Sequence, residues 1–552
     1  MADTLSHEVL WRRHAEAEEW SGYLRVATDA WVGGGGFAAP HDAEGTGRES
    51  LPSGWTSYLI QHPQEDGAKY AWRVRNAVYP PLPRVVGETL LGFLFSRQPS
   101  RDGSAMLLEE WATDADGAGN SLDTVLRLVA THAMLFPFGL VLVGAPDVQA
   151  SSQAEASEIG WSPYTSIVHP AMLFDWILGR DGKFTAAKLV DTAEDGGIED
   201  ERKAWTRARI YTIEDGRVQV RTYRQDETGK AALLIDEKTI DVPEIPLVLC
   251  RFGDVIVPDA LCGPAPMRQV VEDARGLFND LSFLQEHTAA QVVALLTYQQ
   301  EKSAQQEPLV VGTNNALTYP VTCERPDFIA PPPTVADTLF RAIEERVRRI
   351  YRMMRLEFVL NDAQQSPASG VARQYEFQST NRALAAYAVQ LAATEREIAR
   401  HVFRFAGKDG DALGSDYLVS WPDDFDIKDL DAAVRRTQEA LILPFDSVTR
   451  GALLRQLRED LVNLTPAEQA ASDRELAALG EVSATDKEIL TASTDKAAVV
   501  TVNEARANMG LAPQAGGDMT VTEKRTQVEA EAQAAAGGTA PPAPPARQEP
   551  AE

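Results

Sequence analysis

The most regular pattern of apolar and polar positions spans residues 334–405 and predicts two helices joined by a polar loop. In the first helix the apolar residues recur three or four positions apart, which places them on one helical face. They are Leu339, Ile343, Val347, Ile350 and Met354. The second helix repeats apolar residues at an interval of seven and is predicted to bury them as a core seam. They are Phe377, Leu384, Leu391, Ile398 and Phe405.

Arginines cover much of the remaining surface of the first helix, against only Glu344 and Glu345. They are Arg341, Arg346, Arg348, Arg349, Arg352 and Arg355. Three interpretations are open: a solvated face, ion pairs with acids of a neighbouring helix such as Glu272, Asp273 and Asp280, or contact with phosphates of passing DNA. The planar guanidinium group suits the second, because it binds a carboxylate with two parallel hydrogen bonds.

The first 257 residues combine helical and strand patterns. Helical spacing over 5–25, 70–95 and 121–135 precedes a series of short β-type runs with glycine and acidic turns between them. These runs are 139–143, 165–168, 187–190, 208–212, 218–222, 232–235 and 247–250. The alternation of short strands and turns is typical of antiparallel hairpins, so this part is predicted to be α+β.

Further along the chain the pattern is mostly helical. Apolar residues at helical spacing fill 267–299, whereas 300–333 is polar and proline-containing and is predicted to be a compact excursion between two long helices. Short helical patterns follow residue 407. Beyond residue 515 the chain is rich in Ala, Glu, Gly and Pro, and such a composition predicts a solvated tail.

Composition narrows the possible functions. With 552 residues several domains are expected, and a net charge of −28 argues against general binding to nucleic acid. An acidic protein can still let DNA pass without gripping it, because like charges repel. Cys250, Cys262 and Cys323 are too few and too scattered for a disulfide framework or a zinc site, which predicts reduced thiols in a cytoplasmic setting. We find no signal-peptide pattern and no apolar run of about 18 residues.

Catalytic and cofactor motifs were sought without success. The glycines at 33–36 lack the following Lys and Ser/Thr of a phosphate loop, so a flexible loop is expected. His7 and His14 are expected on one face of the first helix, but no third metal ligand accompanies them. No Gly-x-Ser-x-Gly elbow occurs, and acid pairs such as Asp423 with Asp424 lie in polar segments. The sequence therefore predicts no enzyme, no cofactor and no metal.

In the order of its elements the chain resembles the portal (head–tail connector) proteins of tailed bacteriophages. Residues 72–79 with 85–99 are similar to an early helix of that family, which ends in a Gly-x-x-Phe-x-x-x-Pro stretch. Residues 136–143 resemble its helix-to-strand entry. Ser369 and Gly370 begin a Ser-Gly-x-Ala element like the one that opens its long helix, and residues 501–511 resemble a frequent C-terminal helix.

The resemblance implies an α+β portal-like fold with a β-rich wing, antiparallel stem helices, a small clip, a long wing helix and a mostly helical crown. The implied segments are a wing at 1–257, a stem helix at 258–285, a clip at 286–333, a stem helix at 334–356, a channel loop at 357–372, a long wing helix at 373–408, a helical wing and crown at 409–512, and a disordered tail at 513–552.

The function implied by the resemblance is that of a ring subunit at a capsid vertex, with about twelve copies around the channel. The virion would be assembled in the host cytoplasm. The implied partners are identical copies, the terminase large subunit, a head–tail adaptor, the major capsid or scaffold protein, and double-stranded DNA that passes non-specifically; no membrane is implied.

Two groups of residues acquire roles on this basis. The stem arginines would make intersubunit or channel contacts, and the polar residues of the channel loop would face DNA. The latter are Asn361, Asp362, Gln364, Gln365 and Ser366. Two alternatives stay open: another structural virion protein, such as a capsid or adaptor subunit, and an enzyme with a cryptic site in the β-rich region.

Overall fold

A computed structural model describes residues 4–38, 56–146, 161–195, 203–225, 229–257, 259–292, 295–297, 327–329, 332–361 and 370–425, together with 454, 455, 472 and 474. The chain divides into two units, Met1–Ile427 and Lys428–Glu552. In the second unit the four described residues are helical. Every element below belongs to the first unit, and the helical patterns predicted beyond residue 427 and the predicted tail lie outside the described residues.

The first unit is a mixture of helices and antiparallel strands. Its α-helices are α1 (His7–Trp11), α2 (Ala15–Val32), α3 (Gly67–Asn76), α4 (Leu82–Leu94), α5 (Glu109–Thr113), α6 (Leu122–Leu135), α7 (Arg268–Val292), α8 (Thr334–Met353), α9 (Glu357–Asn361), α10 (Gly370–Phe405) and α11 (Gly410–Asp416). Its strands are β1 (Thr4–Ser6), β2 (Ser100–Gly103), β3 (Gly139–Gly144), β4 (Tyr164–Val168), β5 (Leu173–Leu178), β6 (Phe184–Asp195), β7 (Lys203–Glu214), β8 (Arg217–Gln225), β9 (Ala231–Ile240), β10 (Leu247–Cys250), β11 (Leu295–Thr297), β12 (Asp327–Ile329) and β13 (Tyr417–Ser420). The α+β prediction is confirmed.

The strands form four antiparallel sheets. The largest has the order β1-β9-β8-β7-β6-β5, and the others are β10-β3-β4, β13-β2 and β11-β12. All seven β-type runs predicted between residues 139 and 250 fall within observed strands. One face of the large sheet joins the main core through Trp176, Leu189 and Tyr211, whereas the other packs under α1 through Leu10 and Tyr223.

Helix α10 crosses the middle of the main core. Four of the five predicted seam residues, Phe377, Leu384, Leu391 and Ile398, are at most 1% exposed, whereas Phe405 at the end of the helix is half-buried. The helix also buries Glu395 completely. The Glu395 carboxylate accepts hydrogen bonds from Arg101 Nε at 2.5 Å, Tyr417 Oη at 2.9 Å and Trp421 Nε1 at 2.9 Å. A buried charge is tolerated when it is paired in this way, and the network ties the small β13-β2 sheet to α10.

The N-terminus departs from the predicted helix over 5–25. Residues 4–6 instead extend the large sheet, with Leu5 opposite Ala232, and the first long helix begins only at Ala15. His14 caps that helix, since its Nδ1 accepts from Glu16 N at 3.4 Å. His7 lies in the separate helix α1. The expectation that His7 and His14 share one helical face is therefore wrong, because the chain is extended at Arg12 and His14 N donates to the Phe174 carbonyl at 2.7 Å instead of continuing the helix.

The helices around the predicted clip and channel loop differ from the predicted segments. Helix α7 continues to Val292, seven residues into the predicted clip at 286–333. Residues 357–361 form the short helix α9, although they belong to the predicted channel loop at 357–372. The reason is apolar packing, because Leu356 is fully buried and the Phe358 ring lies 5.3 Å from that of Phe377. Helix α10 begins at Gly370, as the Ser-Gly-x-Ala element indicates and three residues before the implied wing-helix segment at 373–408.

Candidate functional site

The candidate site is the helix pair formed by α7 and α8. Helix α7 has 25 residues and α8 has 20, which correspond to lengths of about 37 Å and 30 Å. The two helices are antiparallel, because Arg349 reaches Asp273 whereas Arg346, earlier in α8, also reaches Asp280. At one end the pair joins the core of the first unit, and at the other it continues into the paired strands β11 and β12.

An apolar seam holds the two helices together, and its burial falls along α8. Ile350 is fully buried and Met354 is 5% exposed, next to the core. Towards the β11-β12 end, Val347, Ile343 and Leu339 are only half-buried. On the same helix Phe340 is 52% exposed and Val335 43% exposed. The outer half of the pair thus presents apolar surface that the described part of the chain does not cover.

Two of the six arginines cross from α8 to acids of α7. Arg346 pairs with Asp280 and, at 3.5 Å, with Asp273. Arg349 Nε donates to Asp273 Oδ2 at 2.6 Å, and this hydrogen bond is the main reason why the pKa of Arg349 is raised. Gly276 makes room for the crossing, because a Cβ atom there would lie 2.4 Å from the Arg346 guanidinium. For these two side chains the structure favours pairing with a neighbouring helix, and the pairing is within one chain.

Arg352 lies in the last turn of α8, and Arg355 lies in the turn that follows. Arg352 pairs with Glu357 at 3.1 Å. Arg355 has a φ of +59°, a conformation that non-glycine residues rarely adopt, and its side chain donates to the Ser379 carbonyl at 3.2 Å. The Thr380 hydroxyl in turn donates to the Arg355 carbonyl. Both arginines therefore fix the path from α8 to α10.

Arg341 and Arg348 remain on the outer surface of α8. Both are exposed, and neither forms an ion pair with another described residue. They are seven residues apart, so they lie on the same side of the helix. Among the described residues, Arg341 and Arg348 are thus the two of the six predicted arginines whose side chains are available for contacts outside the chain.

The predicted channel-loop residues are placed only at their ends. Asn361 is the last residue of α9 and Gly370 is the first of α10. Asp362, Gln364, Gln365, Ser366 and Ser369 lie outside the described residues. The flanks of this segment are anchored, because Phe358 before it and Phe377 after it both contact the Phe93 ring.

A pocket of about 360 Å³ lies beside α7, and Arg346 of α8 is one of its lining residues. Its apolar lining comes from Ile60, Pro63 and Phe283, and Arg275 contributes to its rim. Sequence reasoning missed this pocket and missed Phe340. The signal for Phe340 was an aromatic residue one position away from the apolar stripe, whereas the pocket depends on a contact between residues more than 200 positions apart.

Among the described residues no group of three or more His, Cys, Asp or Glu side chains could hold a metal ion. Within the same ranges no helix is long and apolar enough to cross a membrane. Cys250 and Cys262 are free and buried, and Cys323 lies outside the described residues.

Comparison with solved structures gives many matching chains, two of which are described here. The structure is similar to a chain in the virion of a native gene transfer agent particle, with a TM-score of 0.38 and 10% sequence identity. It is also similar to a chain in the neck of an empty gene transfer agent particle, with a TM-score of 0.35 and 9% identity. Each alignment covers 79% of this chain and 91% of the other. No family model and no curated protein matches the sequence.

Proposed function

We propose that the chain is a portal subunit: copies form a ring at a capsid vertex of a phage or phage-like particle, and DNA enters and leaves through its centre. The observation that carries this proposal is the antiparallel pair α7/α8. It extends from an α+β body, has exposed apolar residues on its outer half and ends in the strands β11 and β12. An uncovered helix pair of this kind is suited to packing against identical copies.

Each segment then has a place in the assembly. Residues 1–257 form the wing, α7 and α8 the stem, and the residues between these two helices the clip, with β11 and β12 at its base. The clip is the docking site for the terminase large subunit and later for the head–tail adaptor, and the wing and crown meet the major capsid or scaffold protein. The long helix α10 belongs to the wing and is fixed in the core by its apolar seam.

The segment between α9 and α10 is the channel loop. The described residues on either side of it are held in place, because the Phe358 and Phe377 rings both contact the Phe93 ring. The amides and hydroxyl of the loop contact phosphates briefly, without the strong salt-dependent grip of lysines and arginines. The acidic balance of the whole chain favours passage of DNA over retention.

Electron microscopy of the purified full-length chain tests the proposal. We expect closed rings with a central hole. A capsid subunit would instead form shells or sheets, and an adaptor subunit would remain monomeric until a portal is added. Particles that stay monomeric at micromolar concentration, in low and moderate salt, would overturn the portal assignment.

Deletion of residues 361–366 tests the channel loop separately. Because residues 361–366 are not part of the apolar seam between α7 and α8, the variant should form rings of normal appearance. In a particle assembled with the variant, packaging or retention of full-length DNA should fail. Normal packaging by an intact variant ring would remove the loop assignment while leaving the ring itself in place.

A further inference from the structure

Two features of the helix pair lie on opposite flanks. Relative to Leu339, a member of the apolar stripe, Phe340 is rotated by about 100° to one side and Arg349 by about 80° to the other. Arg346 lines the pocket and shares Asp273 with Arg349, so the pocket lies on the flank of the pair that carries Arg349. The exposed phenyl ring and the pocket are therefore on opposite sides of the pair.

The same two features lie at the same height along the pair. Arg346 contacts both Asp273 and Asp280, so it is level with the middle of that stretch of α7. Phe340 is six residues earlier, about 9 Å further along. Since the helices are antiparallel, this brings Phe340 level with Phe283, which lines the pocket.

The pocket is held in shape by buried polar contacts. The Arg73 guanidinium lies 4.5 Å from the centre of the Phe283 ring, and Arg73 is 1% exposed. Ile60 N donates to Asn279 Oδ1 at 2.8 Å, and the Ile60 carbonyl accepts from Arg73 at 2.9 Å. The Ile60 backbone is thus fixed on α7, yet its side chain remains 67% exposed. An apolar side chain that is both fixed and exposed is suited to receiving a partner.

From this arrangement we infer that Phe340 of one copy inserts into the pocket formed by Ile60, Pro63 and Phe283 of the next copy. The inference rests on the proposed ring and identifies its subunit contact. The Phe340 side chain and the pocket lie at equal height on opposite flanks of the pair, so their contact between copies is head-to-tail. Such contacts close into a ring when the symmetry axis runs along the helix pair.

Charge supports the same pairing of surfaces. Glu344 lies one turn from Phe340, is exposed, and forms no ion pair with another described residue. Arg275, which lines the pocket, is 43% exposed, and among the described residues its ion pair is with Glu272 of its own helix, at 3.2 Å. With Phe340 in the pocket, Glu344 of one copy comes within a helical turn of Arg275 of the next.

The first experiment weakens the contact. The substitution Phe340→Asp should raise the dissociation constant between subunits by roughly 30-fold or more, as expected for a central interface residue, and mass photometry should show loss of rings. The control Leu128→Asp changes an apolar side chain of similar exposure, 49%, in α6 and should leave rings intact. Glu344→Arg and Arg275→Glu should each weaken assembly, and the double variant should recover part of it.

The second experiment does not depend on the stability of a variant. Ile60→Cys combined with Phe340→Cys, with Cys323 replaced by Ser, should give a ladder of disulfide-linked multimers on oxidation, whereas each single variant should not. Burial raises the pKa of the Cys250 and Cys262 thiols to about 12, so neither competes.

The outcomes separate the two proposals. Absence of wild-type rings would contradict the proposed function. Wild-type rings that persist with Phe340→Asp, and that give no cross-link in the double cysteine variant, would overturn only the contact inferred here.

Discussion

Helices α8 and α10 both carry a regular apolar stripe, but the chain covers only one of them. The α10 seam is at most 1% exposed from Phe377 to Ile398, whereas three of the five α8 positions are only half-buried. Apolar periodicity states which face of a helix avoids water. It does not state whether the covering surface comes from the same chain or from a neighbour.

The polar groups of the two regions differ in the same way. Glu395 on α10 is fully buried and accepts hydrogen bonds from three side chains, so its loss would leave these donors without that acceptor. Arg349 on α8 is 46% exposed, and water can replace its contact with Asp273. The body is expected to fold as an independent unit, and the outer half of the helix pair is expected to gain its stability from assembly.

The largest effect is expected at Glu395. The substitution Glu395→Ala leaves Arg101 without its buried partner and removes the acceptor from Tyr417 and Trp421, so the free energy of unfolding should fall by about 3–5 kcal/mol. Urea denaturation of the monomeric form measures this. Glu397→Ala, on the same helix but 47% exposed, is the matched control and should cost less than about 1 kcal/mol. Equal effects of the two variants would contradict the account of the core.

The next effect compares the two stripes directly. Leu391→Ala should lower the free energy of unfolding by about 2–5 kcal/mol, because the residue is fully buried. Ile343→Ala should lower it by only about 1 kcal/mol in the monomer, because water already reaches part of the side chain. A loss at Ile343 as large as that at Leu391 would mean that the helix pair is part of the independent core.

A smaller effect is expected on the free energy of unfolding when the pH is lowered. Burial acts to raise the pKa of Glu244, but hydrogen bonds from Lys183 and Arg404 and the charge of Arg400 lower it from 4.5 to about 2. A lowered folded-state pKa stabilises the protein above pH 4.5, and that contribution is lost as the pH falls from 4.5 towards 2. After screening it amounts to about 1–2 kcal/mol. Glu244→Gln should flatten the stability profile in this range, and an unchanged profile would refute the ion-pair interpretation.

The smallest effect is expected at the surface arginines. Arg349→Ala should change the free energy of unfolding of the monomer by less than about 1 kcal/mol, since the pair with Asp273 is half exposed. Arg348→Ala should not change it, since Arg348 has no ion pair among the described residues. Thermal unfolding of the monomer measures both, and a loss above 2 kcal/mol at Arg349 would assign the pair a structural role.

Sequence reasoning succeeded where a pattern is local. The heptad seam of α10 and the hairpin strands could be read from neighbouring residues. Acids of α7 are possible partners of the arginines on sequence grounds, but the sequence leaves a solvated face and contact with DNA open as well. Asp273 and Asp280 take that role, whereas Glu272 pairs with Arg275 on its own helix.

It failed where long-range contacts override the local pattern. Residues 4–6 join β9, and β2 pairs with β13 more than 300 residues away, so neither strand has a local signal. The short helix α9 arises because Leu356 and Phe358 reach the core. Phe340 was missed because a residue one position away from the apolar stripe cannot be assigned a role until the neighbouring helix and the pocket are known.

If the proposed function is correct, α7 and α8 of successive copies line the central opening of the ring. A cryo-electron microscopy reconstruction of the purified full-length chain tests it most directly. We predict a closed ring whose inner wall is made of α7/α8 pairs, with Phe340 of each copy against Phe283 of the next. A ring with these helices on its outer rim, or a chain that remains monomeric, would contradict the account.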